Sequence, residues 1–398
     1  MKKILFFHHG SISVGAGMCA LHILENIDRT EYEVVVCLPN QEGDLKEKIQ
    51  ALDMRIRMDI PKSYSYMHIN GFNWNFFSPW HLKNIIDVKA YKKNVRMIIE
   101  EEKPNIVIVN SMTLCWIGKI AKKCRAKTIC FHRETYCRGM FGIRTAWIKK
   151  VLNRDFDKIV FISNYDLKQT GKETEKYLRI TDKVEPELYI DLDKKNCRQE
   201  LKLPDKKLVL YTGGASKLKG IFVLLRAVCF MKTDAMIIIL QCEKPKVNFS
   251  AIGVKGVLKR ILGVDTQNNV WKYIKKHNLQ KRIELRGRTE CVEKYFVACD
   301  LVVFPSQNAH QARPIYEAGF ARRPIIVSDF PNTSEYLTNE NGWLVHYKDA
   351  QAWAECIDRV LQGKTDVEKR VEANYRKVLK ENNYKDLRQE IAEALRKL

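Results

Sequence analysis

Short runs of apolar residues alternate with amphipathic segments along the first half of the chain. The runs are rich in Val, Ile and Leu on consecutive positions, which is typical of strands that are buried on both faces. They are Lys3–Phe7, Glu33–Leu38, Asn105–Asn110, Lys127–Phe131 and Lys158–Ile162. The segments between them, such as Ala16–Ile27 and Ala90–Glu102, carry apolar residues at helical spacing. This alternation predicts a parallel sheet that is covered by helices.

A second series with the same pattern begins near Lys207. Its predicted strands are Leu208–Thr212, Ala235–Leu240, Arg282–Leu285, Leu301–Phe304 and Pro324–Val327, and its predicted helices include Ile221–Met231, Val270–His277 and Gln351–Leu361. The predicted fold class is therefore α/β, with two Rossmann-like domains that face a cleft. Ligands of such sheets bind in the loops that follow the carboxyl ends of the strands.

The length of 398 residues suits two domains of ordinary size. We expect an N-terminal domain over 1–190 and a C-terminal domain over 206–365. The stretch 191–205 is polar and rich in Lys and Asp, which favours a linker. Residues 366–398 form one long charged helical pattern, which we expect to pack back on the N-terminal domain.

The charge of the chain restricts its partners. The formal net charge is +22 and the sequence pI is about 9.4, an excess that attracts polyanions. The basic residues are scattered and no nucleic-acid-binding module is recognisable, so we expect no nucleic acid partner. An anionic membrane surface or a diphosphate ligand is the better expectation.

The cysteines and the N-terminus indicate the compartment. None of the 12 cysteines forms a C-x-x-C pair, and many lie in apolar runs, as small buried thiols do. This favours a reducing cytosol over a disulfide scaffold. The first apolar run is too short for a signal peptide, and no stretch has the ~20 apolar residues that cross a bilayer. We expect a cytoplasmic protein that is at most peripheral on the inner face of the cell membrane.

Two glycine-containing loops follow predicted strands. In the first domain, Gly15 and Gly17 open a helical pattern, where free backbone N–H groups suit a phosphate or a sugar. Their spacing does not match G-x-G-x-x-G, and a tight turn explains them equally well. In the second domain, Gly213 precedes Lys219, whose point charge suits a pyrophosphate. The alternative is a lysine that is simply solvated.

The loop after the strand Leu301–Phe304 carries further candidates. Pro314 is the residue type favoured at the first position of a helix, which would place Glu317 in the first turn. A carboxylate there can accept hydrogen bonds from both hydroxyls of a ribose, and Arg313 beside it can pair with a phosphate. The alternative is that Glu317 only stabilises the helix dipole.

The order and spacing of these motifs resemble the retaining GT-B glycosyltransferases of family 4. The resemblance covers most of the second domain and is weaker in the first, where it includes the opening strand, the glycine loop and Phe161-Ile162-Ser163. Its second-domain elements are Gly213…Lys219-Gly220, Leu285-Arg286-Gly287, Tyr295…Ala298-Cys299-Asp300, Phe304-Pro305-Ser306, Pro314-Ile315-Tyr316-Glu317-Ala318, Pro324-Ile325-Ile326-Val327-Ser328 and Ser334-Glu335-Tyr336…Asn341-Gly342.

The resemblance implies a nucleotide-diphosphate sugar that is held mainly by the second domain. Lys219 would contact the diphosphate and Glu317 the ribose. Amides around Gln311, Pro314 and Ile315 would hold the sugar and phosphate. The family requires no cofactor and no metal, because basic groups and helix N-termini stabilise the leaving diphosphate.

The chain departs from the family pattern at three places. The first glutamate of the E-x7-E motif is replaced by Ala309, and His310 or Gln311 could substitute as a hydrogen-bond partner. Gly214 stands where the family often has an arginine, a charge that Arg313 or a basic residue of the first domain could supply. Pro186-Glu187-Leu188-Tyr189 stands where an Asn-Gly is usual.

The acceptor side would fall to the first domain. His132 matches a family histidine that lies near the sugar, and it could bind the sugar or transfer a proton. Glu134 could orient the acceptor hydroxyl, while Arg133 and Ser11 are candidates for acceptor binding. The alternative is that His132 is structural.

Two segments are candidates for membrane contact. Tyr64–Trp80 is rich in aromatic residues, and Ile252–Leu262 is basic and amphipathic if helical. Alternatively, the aromatic residues pack in the first-domain core and the lysines are solvated.

The sequence therefore predicts a retaining glycosyltransferase that moves a sugar from a nucleotide diphosphate to a glycan or lipid-linked acceptor. Bacterial surface-polysaccharide synthesis is implied by the family resemblance. Three alternatives stay open: a sugar-nucleotide epimerase of the same fold, a non-catalytic subunit that binds nucleotide or glycan, and a basic protein that binds a lipid or nucleic-acid surface.

Overall fold

The chain forms two compact units in a computed structural model. The structure describes residues 1–13, 15–60, 79–136, 142–171, 174–245, 266–309, 313–364 and 366–398, with 79–85 as backbone only. Unit 1 comprises Met1–Lys183 and Tyr384–Leu398, and unit 2 comprises Val184–Asn383. The predicted class, α/β with two Rossmann-like domains, is confirmed.

Unit 1 is built on a seven-stranded parallel sheet. The strand order is β3-β2-β1-β4-β5-β6-β7, so the order reverses beside β1, as in a doubly wound fold. The strands are β1 (Lys2–Phe7), β2 (Tyr32–Pro39), β3 (Arg55–Ile60), β4 (Ile106–Val109), β5 (Lys127–His132), β6 (Lys158–Phe161) and β7 (Tyr177–Arg179).

Helices cover both faces of this sheet. Alternate residues of β1 point to opposite faces, with Leu5 and Phe7 in one core and Ile4 and Phe6 in the other. The helices of the first face are α3 (Pro79–Glu102), α4 (Trp116–Lys123) and α5 (Ile143–Asp155); α6 (Asn164–Lys168) follows β6. The other face is covered by α1 (Ala16–Glu25), α2 (Leu45–Gln50) and, from the C-terminus, α15 (Leu387–Arg396).

Unit 2 is built on a six-stranded parallel sheet of order β10-β9-β8-β11-β12-β13. The strands are β8 (Lys207–Tyr211), β9 (Ala235–Ile239), β10 (Ile283–Leu285), β11 (Leu301–Phe304), β12 (Ile325–Ser328) and β13 (Trp343–Val345). The helices are α7 (Glu187–Ile190), α8 (Lys194–Glu200), α9 (Ile221–Phe230), α10 (Thr266–Lys276), α11 (Val292–Ala298), α12 (Pro314–Phe320), α13 (Ala350–Leu361) and α14 (Val367–Glu381). The order reverses between β8 and β11, and their loops share one edge of the sheet.

The strands that the hydrophobic pattern missed all lie at sheet edges. β3 alternates charged with apolar residues because only part of it is buried. β7 and β13 have three residues each and border one neighbour only. Edge strands of this kind are too short or too polar to give the long apolar run by which the central strands were found.

The observed boundaries differ from the expected ones in two ways. The polar stretch 191–205 is not a bare linker, because it contains α8, whose Lys194 and Arg198 pair with Asp300 at 2.6 and 2.8 Å. The segment 366–398 is divided, since α14 belongs to unit 2 whereas α15 belongs to unit 1. A hydrophobicity pattern does not show which core a helix joins.

No helix among the described residues combines the length and the apolar character that a membrane span requires.

Candidate functional site

The loops after β8 and β11 lie in contact at the carboxyl edge of the unit 2 sheet. Gly220 directly precedes α9 with a φ of +85°, and a Cβ there would lie 1.7 Å from the carbonyl oxygen of Pro305. The backbone N–H of Gln307 donates to the carbonyl of Leu218 at 2.7 Å. The hydroxyl of Tyr211 donates to the carbonyl of Lys219 at 3.0 Å. These contacts fix Lys219 beside the loop that follows β11.

Lys219 is a half-buried cation without an anionic partner in contact. Among the described residues, no carboxylate lies within ion-pair distance of its ammonium group. Burial lowers the pKa of Lys219 below its ordinary value, and the nearby charge of Glu317 opposes that shift. A desolvated ammonium group is stabilised when an anion binds beside it. The site therefore favours an anionic ligand.

Arg313 and Glu317 form a pair at the start of α12. Pro314 is the first residue of this helix and Glu317 lies in its first turn, so both sequence predictions are confirmed. The Nε of Arg313 donates to the carboxylate of Glu317 at 3.1 Å. Their side chains are 24% and 11% exposed, which leaves little solvent to screen them. Three charged groups thus gather at one end of the unit 2 sheet.

The position of α12 depends on two buried asparagines that the sequence analysis did not single out as site residues. The amide of Asn374, on α14, donates to the carbonyl of Ile315 at 3.2 Å. The amide of Asn341 donates to the Asn374 oxygen at 3.1 Å. The Ile315 side chain is fully buried in the core, so its candidate contact with a ligand is through its backbone alone. Gln311 and His310 lie outside the described residues.

Gly213 has a packing role. A Cβ at this position would lie 2.2 Å from the hydroxyl oxygen of Tyr211. The residue is therefore a glycine because the Tyr211 ring occupies the space of a side chain. A role in donor binding stays a prediction.

The polar residues at the carboxyl edge of the unit 1 sheet bind mainly one another. Arg133 donates from Nε to the Asn110 oxygen at 2.6 Å and forms a short ion pair with Asp182. Asn110 is 3.1 Å from Nδ1 of His8. Burial lowers the pKa of Arg133, but the charge and hydrogen bond of Asp182, together with the nearby Cys19 and Glu134, raise it overall. Arg133, predicted to bind the acceptor, is held within a protein network.

Sequence analysis missed three members of this network, which are His8, Asn110 and Asp182. His8 and Asn110 directly follow β1 and β4, so their positions at strand ends were a usable signal. Burial, aided by His9 and Arg133, holds the pKa of His8 well below its usual value. A neutral imidazole is what an amide donor at Nδ1 requires. Asp182 lies far along the chain from Arg133, and no local pattern indicates the pair.

Glu134 binds the backbone of the neighbouring loop. Its carboxylate accepts from the N–H of Met112 at 3.1 Å and from the hydroxyl of Ser111 in a short hydrogen bond. Met112 begins a short 3₁₀ helix over Met112–Leu114, so Glu134 satisfies an otherwise orphaned donor at its start. This arrangement gives Glu134 a structural role, whereas the predicted catalytic role stays untested.

His132 ends β5 inside the core. It is 0% exposed, and its ring packs against Tyr136 and Phe161 with centroid distances of 4.5 and 4.9 Å. Neither ring nitrogen has a hydrogen-bond partner among the described residues. Burial lowers the pKa of His132 to about 3, so the ring is neutral at physiological pH. The alternative of a structural histidine fits this environment better than proton transfer to a ligand.

The first glycine loop contains two glycines with different roles. A Cβ on Gly17 would lie 2.0 Å from the carbonyl oxygen of Ile12, so this glycine allows the loop to pack on α1. Gly15 precedes α1 with a φ of +54° and has open space around it, which is compatible with a ligand. Ser11 donates from its hydroxyl to the Glu42 carbonyl at 2.8 Å and is buried. Of these three residues, Gly15 is the most accessible candidate.

The segment that contains this unit 2 site matches a known family. Residues 193–386 match the family model Glycosyl transferases group 1. The match includes Lys219, Arg313, Glu317 and both asparagines. No curated protein matched the chain in sequence.

Solved glycosyltransferase structures share the fold of both units. HepE from Anabaena, in complex with UDP and glucose, aligns with a TM-score of 0.76 and 18% identity over 100% of each chain. A glycosyltransferase from Rickettsia africae has a TM-score of 0.70 and 18% identity over 99% of this chain and 97% of its own. The lipopolysaccharide outer core galactosyltransferase WaaB has a TM-score of 0.61 and 12% identity over 97% and 99%. These structures share the GT-B fold with this chain, and the family match links residues 193–386 to glycosyl transferases group 1.

Proposed function

We propose that the chain is a retaining glycosyltransferase that moves a sugar from a nucleoside diphosphate to a glycan or lipid-linked acceptor. The observation that carries this proposal is the half-buried Lys219 ammonium near the Arg313–Glu317 pair. Two cations and one carboxylate suit a diphosphate and a ribose, respectively. The family match over the same residues supports this assignment.

The charges act on the leaving group. When the bond between the sugar and the diphosphate breaks, negative charge develops on the diphosphate oxygen. Lys219 and Arg313 would stabilise this developing charge in the transition state more strongly than they stabilise the bound donor. That difference lowers the barrier to transfer. Glu317 would hold the ribose hydroxyls and orient the donor. Because the side chains are partly buried, the effect is larger than it would be in open water.

We propose that transfer requires no metal or other cofactor. Lys219 and Arg313 would supply the positive charge that a divalent cation supplies elsewhere. Activity is expected to persist in excess EDTA and to be unchanged by added Mg²⁺ or Mn²⁺. Loss of activity in EDTA that Mn²⁺ restores would contradict this part of the proposal.

For the substrates, we propose a UDP-sugar donor and a surface-polysaccharide acceptor. HepE was solved with UDP and with UDP-glucose, which makes uridine nucleotides the first to test. The name of WaaB places that protein in lipopolysaccharide synthesis, in line with the bacterial pathway that the sequence resemblance implies. We place the reaction in the cytoplasm, where such donors are made. Candidate acceptor groups in unit 1 are fewer than the sequence predicted, because Arg133 and Glu134 bind other protein groups.

A thermal-shift panel of UDP, GDP, ADP and their sugars tests donor binding. A ligand that binds only the folded state raises the melting temperature, by an amount that grows with ligand concentration above Kd. We expect a shift with one nucleotide diphosphate and with its sugar. If none of the panel shifts the melting temperature at millimolar concentration, the proposal is wrong.

Product analysis then separates transfer from the alternatives. With donor alone, a transferase releases little product, whereas an epimerase converts the sugar nucleotide completely to an equilibrium mixture. A second candidate, a nucleotide-binding subunit without transferase activity, is favoured by Ala309, which replaces the glutamate expected to touch the sugar. That candidate predicts nucleotide binding with no turnover for any acceptor.

A further inference from the structure

The two helical faces of unit 1 carry different charge. The neutral face consists of α1, α2 and α15, in which acidic and basic residues nearly balance. On the opposite face, α4 has three lysines and no acidic residue, and α5 has four basic residues and one acid. Helix α3 has five basic and four acidic residues, and two of those acids, Glu101 and Glu102, are paired with Arg57 of β3. We call the outer surface of α3, α4 and α5 the basic face.

Exposed apolar side chains lie among these cations. On α5, Ile143 is 66% exposed and Trp147, one turn later, is 38% exposed; Lys150 continues the same stripe. On α3, Met97 is 48% exposed and lies one turn after Lys93. None of the large apolar residues exposed elsewhere in unit 1 belongs to α1, α2 or α15. The basic face is therefore amphipathic in composition, and the neutral face is not.

A groove between α3 and α4 lies within the basic face. Its volume is about 500 Å³, and Ile99, Ile120 and Cys124 are among the apolar residues that line it. Lys92, Arg96, Lys103 and Lys123 stand around it. Arg96 pairs with Glu100, whereas among the described residues the three lysines have no carboxylate within ion-pair distance. The groove therefore has an apolar floor, and the lysines around it form no ion pair among the described residues.

We propose that the basic face of unit 1 docks on an anionic phospholipid bilayer. Lysines near such a surface each contribute about 1 kcal/mol of attraction, and exposed aromatic and aliphatic side chains insert at the level of the headgroups. Nucleic acid would use the lysines but offers no apolar layer for Ile143, Met97 and Trp147. The proposal deepens the proposed function, because a lipid-linked acceptor resides in the bilayer.

Vesicle co-sedimentation of the full chain tests this surface. We expect binding to vesicles of phosphatidylcholine mixed with phosphatidylglycerol, much weaker binding to phosphatidylcholine alone, and release by high salt. The triple variant Lys93→Glu, Lys123→Glu, Lys150→Glu changes one residue on each helix. It should weaken vesicle binding by roughly 100-fold or more. Trp147→Ser should weaken binding by about tenfold at unchanged charge.

A charge-matched control isolates the basic face from net charge. The triple variant Lys46→Glu, Arg396→Glu, Lys397→Glu reverses the same number of charges on the neutral face, at exposed positions of α2 and the C-terminal end. It should retain most of the vesicle binding. If both triple variants lose binding equally, or neither does, the proposal is wrong.

Two further readouts separate this proposal from others. The substitutions on the basic face should leave the affinity for UDP unchanged in each variant. A failure of nucleotide binding and a failure of membrane docking are therefore distinguishable. A single-stranded RNA serves as the competing polyanion. RNA binding that is lost in the basic-face variant, without any binding of wild-type protein to anionic vesicles, would overturn the membrane assignment.

Discussion

The carboxyl edges of the two sheets bear similar sequence signals but differ in what their polar groups contact. In unit 1, Arg133 binds Asn110 and Asp182, and Glu134 binds the backbone of the Ser111 loop. In unit 2, Lys219 is half-buried and forms no ion pair among the described residues, while Glu317 holds a single arginine. The first edge is largely closed by its own hydrogen bonds. The second keeps a charge that a ligand can satisfy.

This difference shows why polar residues after a strand do not by themselves define a site. A polar side chain that finds a protein partner stabilises the fold and is no longer available to a substrate. A partly desolvated charge without a close partner has a free-energy cost in the folded state, and ligand binding recovers it. The two edges therefore predict opposite results on substitution: stability is lost in unit 1, and affinity is lost in unit 2.

The largest expected effect is that of Arg133→Met. The substitution leaves Asp182 and Asn110 without their buried partner, which should cost about 3–5 kcal/mol of folding free energy. Urea unfolding followed by circular dichroism measures the change. Arg396→Met on the exposed surface is the control, with an expected change within about 0.5 kcal/mol. A loss below about 1 kcal/mol for Arg133→Met would show that the unit 1 network is not a closed structural one.

The next effect is acid sensitivity caused by His132. Its pKa in the folded protein is about 3, against an ordinary value of 6.5, so the unfolded chain binds more protons between these values. Stability therefore falls as the pH decreases through this window, by about 3 kcal/mol between pH 6.5 and 4. His132→Leu removes the group and should flatten that part of the pH profile. His8 shifts in the same direction in both proteins, so the difference between them isolates His132.

If the two pH profiles run parallel, His132 is already accessible to protons in the folded state. In that case, the better interpretation would be that the His132 ring binds the sugar or transfers a proton.

A smaller effect is expected from Asn374→Ala, which tests how the unit 2 site is held. Loss of the Asn374 amide group removes two buried hydrogen bonds, one to the Ile315 carbonyl and one from the Asn341 amide, at a cost of about 1–3 kcal/mol. Because Ile315 lies in the first turn of α12, UDP affinity should also fall several-fold, and Asn374→Asp should not restore it. The control Val378→Ala opens a cavity in the same helix interface. It should reduce stability without changing the affinity for UDP. Equal affinity in the two variants would argue against a positioning role for Asn374.

Much of the fold was predictable from the sequence because its central strands are buried on both faces. Strands β1, β2, β4, β5, β6, β8, β9 and β11 appear as continuous apolar runs, and each was predicted within a few residues. The edge strand Arg55–Ile60 was missed because charged residues alternate with apolar ones along it. The division of the C-terminal segment depends on which core accepts Val378 and Leu387, and a helical pattern carries no such information.

The candidate site was predictable in unit 2 and less so in unit 1. Pro314 and Glu317 follow from helix-start chemistry, and Lys219 from the loop after β8. The partners of Arg133 and Glu134 could not be predicted, since Asp182 and Ser111 reach them only through the packing of neighbouring strands. Gln311, Ile252–Leu262 and the side chains of Tyr64–Trp80 lie outside the described residues, so these assignments stay predictions.

Isothermal titration of UDP into the wild type, Lys219→Ala and Lys217→Ala tests the central claim most directly. Lys217 lies in the same loop two residues earlier, so its substitution controls for charge and for local structure. We expect Lys219→Ala to weaken UDP binding by roughly 10–100-fold, as for a lost charge-assisted contact, and Lys217→Ala by about twofold or less. Equal affinity of the wild type and Lys219→Ala would contradict the account.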